Sequence, residues 1–135
     1  MESIGKINIT QLILSFIMIG LLSFQSCKPN QVKKENLVLA KEAYQERLAS
    51  EENPQLIDVR TPEEFQNGFI EGAVNYDFLD GTFQENINKL NPEKTVFIYC
   101  AGGGRSAKAA SLLKEKGFKS IIDLQGGYSH WKKDK

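Results

Sequence analysis

The sequence predicts an α/β fold built on a central parallel sheet. Three observations carry that expectation. Short apolar runs alternate with capped or amphipathic segments along most of the chain. The run Val96-Phe97-Ile98-Tyr99 is apolar at every position, as a strand covered on both faces requires. Glycine and proline punctuate the joints between the two kinds of segment, at Gly68, Pro92, Gly117 and Gly126-Gly127.

The elements follow in order. Residues 41–50 form a helix, because Ala43, Tyr44, Arg47 and Leu48 recur at three-to-four spacing. Pro54 closes the loop that follows. Residues 55–59, Gln-Leu-Ile-Asp-Val, form a short apolar run that reads as a buried strand. Thr61-Pro62-Glu63-Glu64 opens the next helix: Thr61 caps it, Pro62 suits its first position and Glu64 completes a capping box. Gly68 ends it. Ala73-Val74-Asn75 is a brief strand. Residues 82–90 form a helix, stopped by Asn91-Pro92. Residues 96–99 are the clearest strand. A glycine loop leads into a helix over 105–116, stopped by Gly117. Residues 121–124 form the last strand, and Gly126-Gly127 turns the chain into a short terminal helix carrying Trp131.

The chain has 135 residues, enough for one domain, with 17 basic and 17 acidic side chains and a formal net charge of zero. That balance argues against a nucleic-acid binder. Two cysteines are too few for a disulfide-stapled scaffold. The single histidine, His130, and the lack of any Cys–His cluster leave no metal expected.

The amino-terminal part differs in character. Residues 7–24 are mostly apolar and uncharged, preceded by Lys6 and followed closely by Cys27. Gln11 shortens the strongest stretch to Leu12–Phe24, which favours a signal peptide over a spanning helix. Phe24-Gln25-Ser26-Cys27 resembles a bacterial lipoprotein signal, in which the cysteine becomes the lipidated first residue. Phe24 and Gln25 depart from the usual leucine and small residue, while Ser26 fits. The expected organisation is a signal over 1–26, a lipid-attachment cysteine and polar tether over 27–36, and a folded domain over 37–135. An uncleaved anchor is the alternative. Either arrangement tethers the domain to a membrane outside the cytoplasm, as a periplasm-facing lipoprotein in a bacterium.

The chemistry centres on Tyr99-Cys100-Ala101-Gly102-Gly103-Gly104-Arg105-Ser106. A cysteine ends a buried strand, glycines follow, and a helix begins. Loops at the carboxyl ends of parallel strands face the crevice where ligands bind. Glycines let successive N–H groups turn inward, and the helix start adds positive potential. Both favour an anion such as a Cys100 thiolate, which gives a lowered thiol pKa and a nucleophile at neutral pH. Arg105 adds a fixed charge and a fork for an oxyanion. Alone, a buried cysteine is a small hydrophobe and a glycine run is a turn. Together at one junction they point to a site.

Three stretches resemble the rhodanese-like domains, a family of persulfide-forming sulfurtransferases. The first is Leu56-Ile57-Asp58-Val59-Arg60 with Glu64-Phe65, Gly68, Ile70, Gly72-Ala73 and Asn75. The second is Tyr99-Cys100 through Arg105-Ser106. The third is Leu124-Gln125-Gly126-Gly127 with Trp131. They occur in order across residues 37–133. Phe69 departs from the histidine often found there, at a position read as structural. The resemblance implies a three-layer domain with a five-stranded parallel sheet flanked by helices. It implies a sulfane sulfur carried on Cys100 from thiosulfate or a persulfide donor to a thiol or cyanide, without a cofactor. The loop 101–106 would hold the substrate.

Related phosphatases place five residues between cysteine and arginine; here four, Ala101 to Gly104, intervene, and Ser106 stands where a phosphatase needs its arginine. Sulfur transfer is therefore favoured over phosphate or arsenate chemistry. A non-catalytic binding module is the other alternative. Arg105 is the loop's only charge, a hint of preference for persulfide over thiosulfate. Asp58 and Arg60 end another strand and either orient the loop or form a structural pair, with pairing preferred. His130 is read as a surface residue, Asp123 as a strand-end turn former, and Phe65 and Trp131 as core.

Overall fold

The structure, a computed structural model, describes residues 34–134. Five parallel strands form one sheet: β1 (Glu35–Leu39), β2 (Gln55–Asp58), β3 (Val74–Asn75), β4 (Val96–Tyr99) and β5 (Ser120–Leu124), in spatial order β1-β5-β4-β2-β3. The helices are α1 (Lys41–Ala49), α2 (Pro62–Gln66), α3 (Thr82–Asn86), α4 (Gly104–Glu115) and α5 (Gly127–Trp131). This is the α/β sheet that the alternation of apolar runs predicts.

Side chains alternate across the pleat and divide the core in two. On one face Ile57, Val96, Ile98, Cys100 and Ile121 pack with Phe83 of α3 and Ala109 and Leu113 of α4. On the other, Leu56, Phe97, Tyr99, Ile122 and Leu124 pack with Tyr44 of α1, with Tyr128 and Trp131 of α5 against them. Strands β4 and β5 are buried along their whole length, which explains why β4 lacks any polar alternation.

The local signals behave as the sequence predicts. Thr61 Oγ1 accepts from the Glu64 N–H, and the Glu64 carboxylate accepts from the Thr61 N–H, closing the capping box. The predicted helix over 82–90 is split: α3 ends at Asn86, and a 3-10 turn continues over Ile87–Lys89.

Three expectations change. The sheet begins at Glu35, so the last two residues of the expected tether belong to β1, which pairs along β5 from Glu35↔Ser120 to Leu39↔Leu124. Strand β1 is an edge strand with Val38 66% exposed, and its apolar residues, Leu37-Val38-Leu39, follow the polar pair Glu35-Asn36. Asp123 is no turn former. It lies inside β5, opposite Ile98, and is buried. Phe65 is half-buried outside both core clusters and stacks on Phe69, their ring centroids 4.3 Å apart. Trp131 is only partly buried but does pack on the core. The expected signal over 1–26, Cys27 and the tether up to residue 33 lie outside the described residues.

Candidate active site

Strand β4 ends at Tyr99 and delivers Cys100 to the base of the loop, where the cysteine is buried. The loop above it is partly open: Gly102 and Gly104 are exposed, and Ala101 and Gly103 are half-buried. Gly103 caps α4 with φ 107°, a left-handed conformation that glycine adopts without strain. That turn aims the Gly103 N–H at Cys100 Sγ, 3.0 Å away. Ser106, fully buried in the first turn of α4, places its Oγ 3.5 Å from the same sulfur and 3.1 Å from the Gly103 carbonyl.

These donors set the electrostatics of the thiol. Burial pushes its pKa up, but hydrogen bonds from the Ser106 hydroxyl and N–H and from the Gly103 and Gly102 N–H groups outweigh burial, and the pKa is lowered. The amino-terminal end of the twelve-residue α4 adds favourable potential. These donors favour the anionic form of the sulfur.

Arg105 does not reach over this sulfur as a free fork. Its Nη1 and Nη2 donate to the two carboxylate oxygens of Glu64 at 2.7 and 2.8 Å. The Arg105 pair holds the Glu64 carboxyl down at about 2, with burial opposing and Thr61 helping. Glu64 therefore closes a capping box on α2 and ties the loop to that helix. The capping signal reveals the first role. Nothing along the sequence reveals the second, which joins residues 41 positions apart.

Asp58 and Arg60 stand at the end of β2 as a buried pair. Arg60 Nε donates to both carboxylate oxygens at 3.0 and 2.9 Å, and Nη2 donates to Asp58 and, at 2.7 Å, to the Gly68 carbonyl. The guanidinium lies 4.2 Å from the Tyr128 ring centroid and 5.5 Å from that of Tyr99. The preferred reading, structural pairing, is what the geometry contains. Arg60 also lines a depression of about 260 Å³ with Glu64, Asn67, Ala101, Tyr128 and Lys132, so the pair forms part of the wall beside the loop.

The Gly126-Gly127 turn braces the loop from the other side. The Tyr128 and Ser129 N–H groups donate to the Cys100 and Ala101 carbonyls at 2.8 and 3.0 Å. Gly127 has φ 58°, and a Cβ there would lie 2.3 Å from the Cys100 carbonyl oxygen. Only glycine fits this approach. His130 is exposed and lines a separate depression with Lys41 and Gln125, in keeping with a surface role.

Comparison with known proteins agrees with this geometry. A family model described as a rhodanese-like domain matches residues 40–134. A putative sulfur carrier protein of Bacillus subtilis is 33% identical over 90 residues, covering 67% of this chain and 48% of that protein. The chain thus spans about half of that relative's length. A sulfurtransferase of Allochromatium vinosum is 31% identical over 90 residues, covering 67% of this chain and 82% of that protein. The crystal structure of a rhodanese-like domain protein from Staphylococcus aureus superposes with TM-score 0.64 at 30% identity, covering 71% of this chain and 91% of that one.

Proposed function

The chain belongs to the rhodanese-like domain family, and on that premise we propose that it is a sulfurtransferase with Cys100 as its carrier. The carrying observation is the anion-holding base of the loop, where neutral donors from Gly103 and Ser106 converge on a buried sulfur. The Cys100 thiolate attacks the outer sulfur of thiosulfate or a persulfide. The donor's S–S bond breaks, and sulfite or a thiolate leaves with the electron pair. A new S–S bond leaves the persulfide on Cys100. An acceptor thiolate or cyanide then attacks the outer sulfur, and the Cys100 thiolate departs. Main-chain N–H groups of residues 101–106 hold the charge in both steps. Arg105, already engaged by Glu64, fixes the loop. With that charge neutralised, the loop suits a persulfide donor better than doubly charged thiosulfate.

The proposal includes the amino-terminal reading: a signal over 1–26, lipidation at Cys27, and sulfur exchange at a membrane surface outside the cytoplasm. The mass of the mature amino terminus checks that part. The catalytic part is checked by incubating the folded, reduced full chain with thiosulfate or glutathione persulfide and measuring intact mass. A gain of about one sulfur atom, removed by cyanide and missing in Cys100→Ser, is expected. No adduct from either donor overturns the reading in favour of a binding module. Faster loading from thiosulfate than from the persulfide overturns the stated preference.

A further inference from the structure

The depression beside the loop carries one unmatched charge. Three ionic side chains line it. Arg60 is paired with Asp58, and Glu64 with Arg105. The third, Lys132, has no ion pair among the described residues. Its ammonium lies 5.8 Å from the Tyr128 ring centroid, and the Arg60 guanidinium lies 4.2 Å from the same centroid. Tyr128 thus gathers two cations at one wall, of which only Arg60 has a carboxylate to answer it.

The wall is built onto the carrier loop. The Tyr128 and Ser129 N–H groups hold the Cys100 and Ala101 carbonyls at 2.8 and 3.0 Å. Lys132 follows one helical turn later, so it shares a face with both residues, and all three line the depression together with Ala101. The Ser129 hydroxyl forms no hydrogen bond among the described residues and is exposed beside the free ammonium. A cation and a hydroxyl, both without partners, are the groups that receive a carboxylate.

Size and position select the kind of molecule. The depression, about 260 Å³, lies below the roughly 300 Å³ at which pockets for drug-sized ligands begin, so it suits a small compound. It begins at Ala101, next to the carrier rather than at it. A charge received there sits several bonds from the transferred sulfur, whereas thiosulfate carries its charge directly on the sulfur group. We propose that this depression is a subsite for the carboxylate of a small thiol and of its persulfide, with Lys132 and Ser129 as its specificity-determining groups.

The inference rests on the sulfurtransferase reading and names its substrate class. The bond changes are those of that reading. The acceptor thiolate's electron pair forms an S–S bond to the outer sulfur of the Cys100 persulfide, the old S–S bond breaks, and its electron pair returns to Cys100. The carboxylate makes no bond; its attraction to Lys132 places the thiol beside the loop.

The test loads the full chain with sulfur on Cys100, removes the donor, and follows discharge by intact mass in single turnovers. Mercaptopropionate and the neutral mercaptoethanol are compared in each protein. In Lys132→Gln the ratio of the two rates, mercaptopropionate over mercaptoethanol, should fall by about fivefold, as for an exposed ion pair, through a higher half-saturating concentration of the charged thiol. Lys132→Arg should keep the ratio. Ser129→Ala should lower it about twofold, the worth of one exposed hydrogen bond. Lys114→Gln removes an exposed charge at the far end of α4 and should leave the ratio as it is. An unchanged ratio in Lys132→Gln overturns the proposal, and so does an equal fall in Lys114→Gln, because the attraction then belongs to net charge. A binding measurement separates this outcome from failure of the sulfurtransferase reading. Methylthiopropionate, which has no reactive thiol, should give saturable NMR shifts at the Tyr128, Ser129 and Lys132 amides of the full chain, and methylthiopropanol should not. If Cys100 takes sulfur from neither donor, the functional reading fails while these shifts still judge the subsite. No shifts, or equal shifts from the alcohol, overturn the subsite even where sulfur loading succeeds.

Discussion

The carboxyl ends of β2 and β4 lie side by side in the sheet and present opposite solutions to a buried charge. At the end of β2, Asp58 is matched by Arg60, and the guanidinium's remaining capacity goes to Gly68 and two aromatic rings. At the end of β4, the Cys100 sulfur forms no ion pair; N–H and O–H dipoles bond it, and the Arg105 charge, itself paired to Glu64, acts on it only through space. A carboxylate locked in an ion pair is a poor nucleophile, because its lone pairs are engaged by the guanidinium. A thiolate held by neutral donors keeps its nucleophilicity while its charge is still stabilised. The difference separates a structural charge from a reactive one at neighbouring strand ends.

The largest effect should come from breaking the β2 pair. Arg60→Ala leaves Asp58 buried without its cation and should destabilise the fold by about 3–5 kcal/mol in urea unfolding. A loss below about 1 kcal/mol would mean that water or a neighbouring group replaces the pair.

Asp123→Asn sharpens the comparison from within the reactive face. The folded carboxyl holds its proton up to about pH 6, above the ordinary carboxylate range, so folding is disfavoured once the group must ionise. The cost is absent below the unfolded pKa, grows as pH rises toward 6, and then stays constant. A pKa raised by about two corresponds to about 3 kcal/mol, an upper bound on the stabilisation expected of the asparagine variant at pH 7. The two proteins should converge in stability below about pH 4. A variant less stable than wild type at pH 7 would contradict this.

Glu64→Ala removes both the capping box and the clamp on Arg105. The loss should be about 1–2 kcal/mol, since the pair is partly exposed and screened. Sulfur loading of Cys100 should slow as the loop loosens. The Glu64 carboxyl is depressed to about 2, so its contribution is complete above the ordinary carboxylate pKa and is lost as pH falls through 2. Stopped-flow loading and acid unfolding check the two halves separately.

The smallest stability effect should belong to Cys100→Ser, within about 1 kcal/mol of wild type by thermal unfolding, together with complete loss of sulfur loading. Unfolding at room temperature would instead make Cys100 a packing residue.

Local chemistry determined much of this protein from the sequence by itself. A capping box, an all-apolar strand, a glycine loop between strand and helix, and glycine stops each act over a few residues, so their consequences can be read where they stand. The inner strands, the helix starts and the candidacy of Cys100 are legible for that reason. The resemblance to a known family added the fifth strand as an expectation without locating it. The tertiary structure decided what depends on partners far along the chain. Strand β1 opens on the polar pair Glu35-Asn36 and is largely exposed, and pairing with β5 makes it a strand. Glu64 reads as a cap until α4 brings Arg105 against it. Asp123 reads as a turn former until the β4–β5 register buries it beside Ile98. Register and packing set these roles, because a side chain's charge environment is a sum over neighbours that sequence order does not contain.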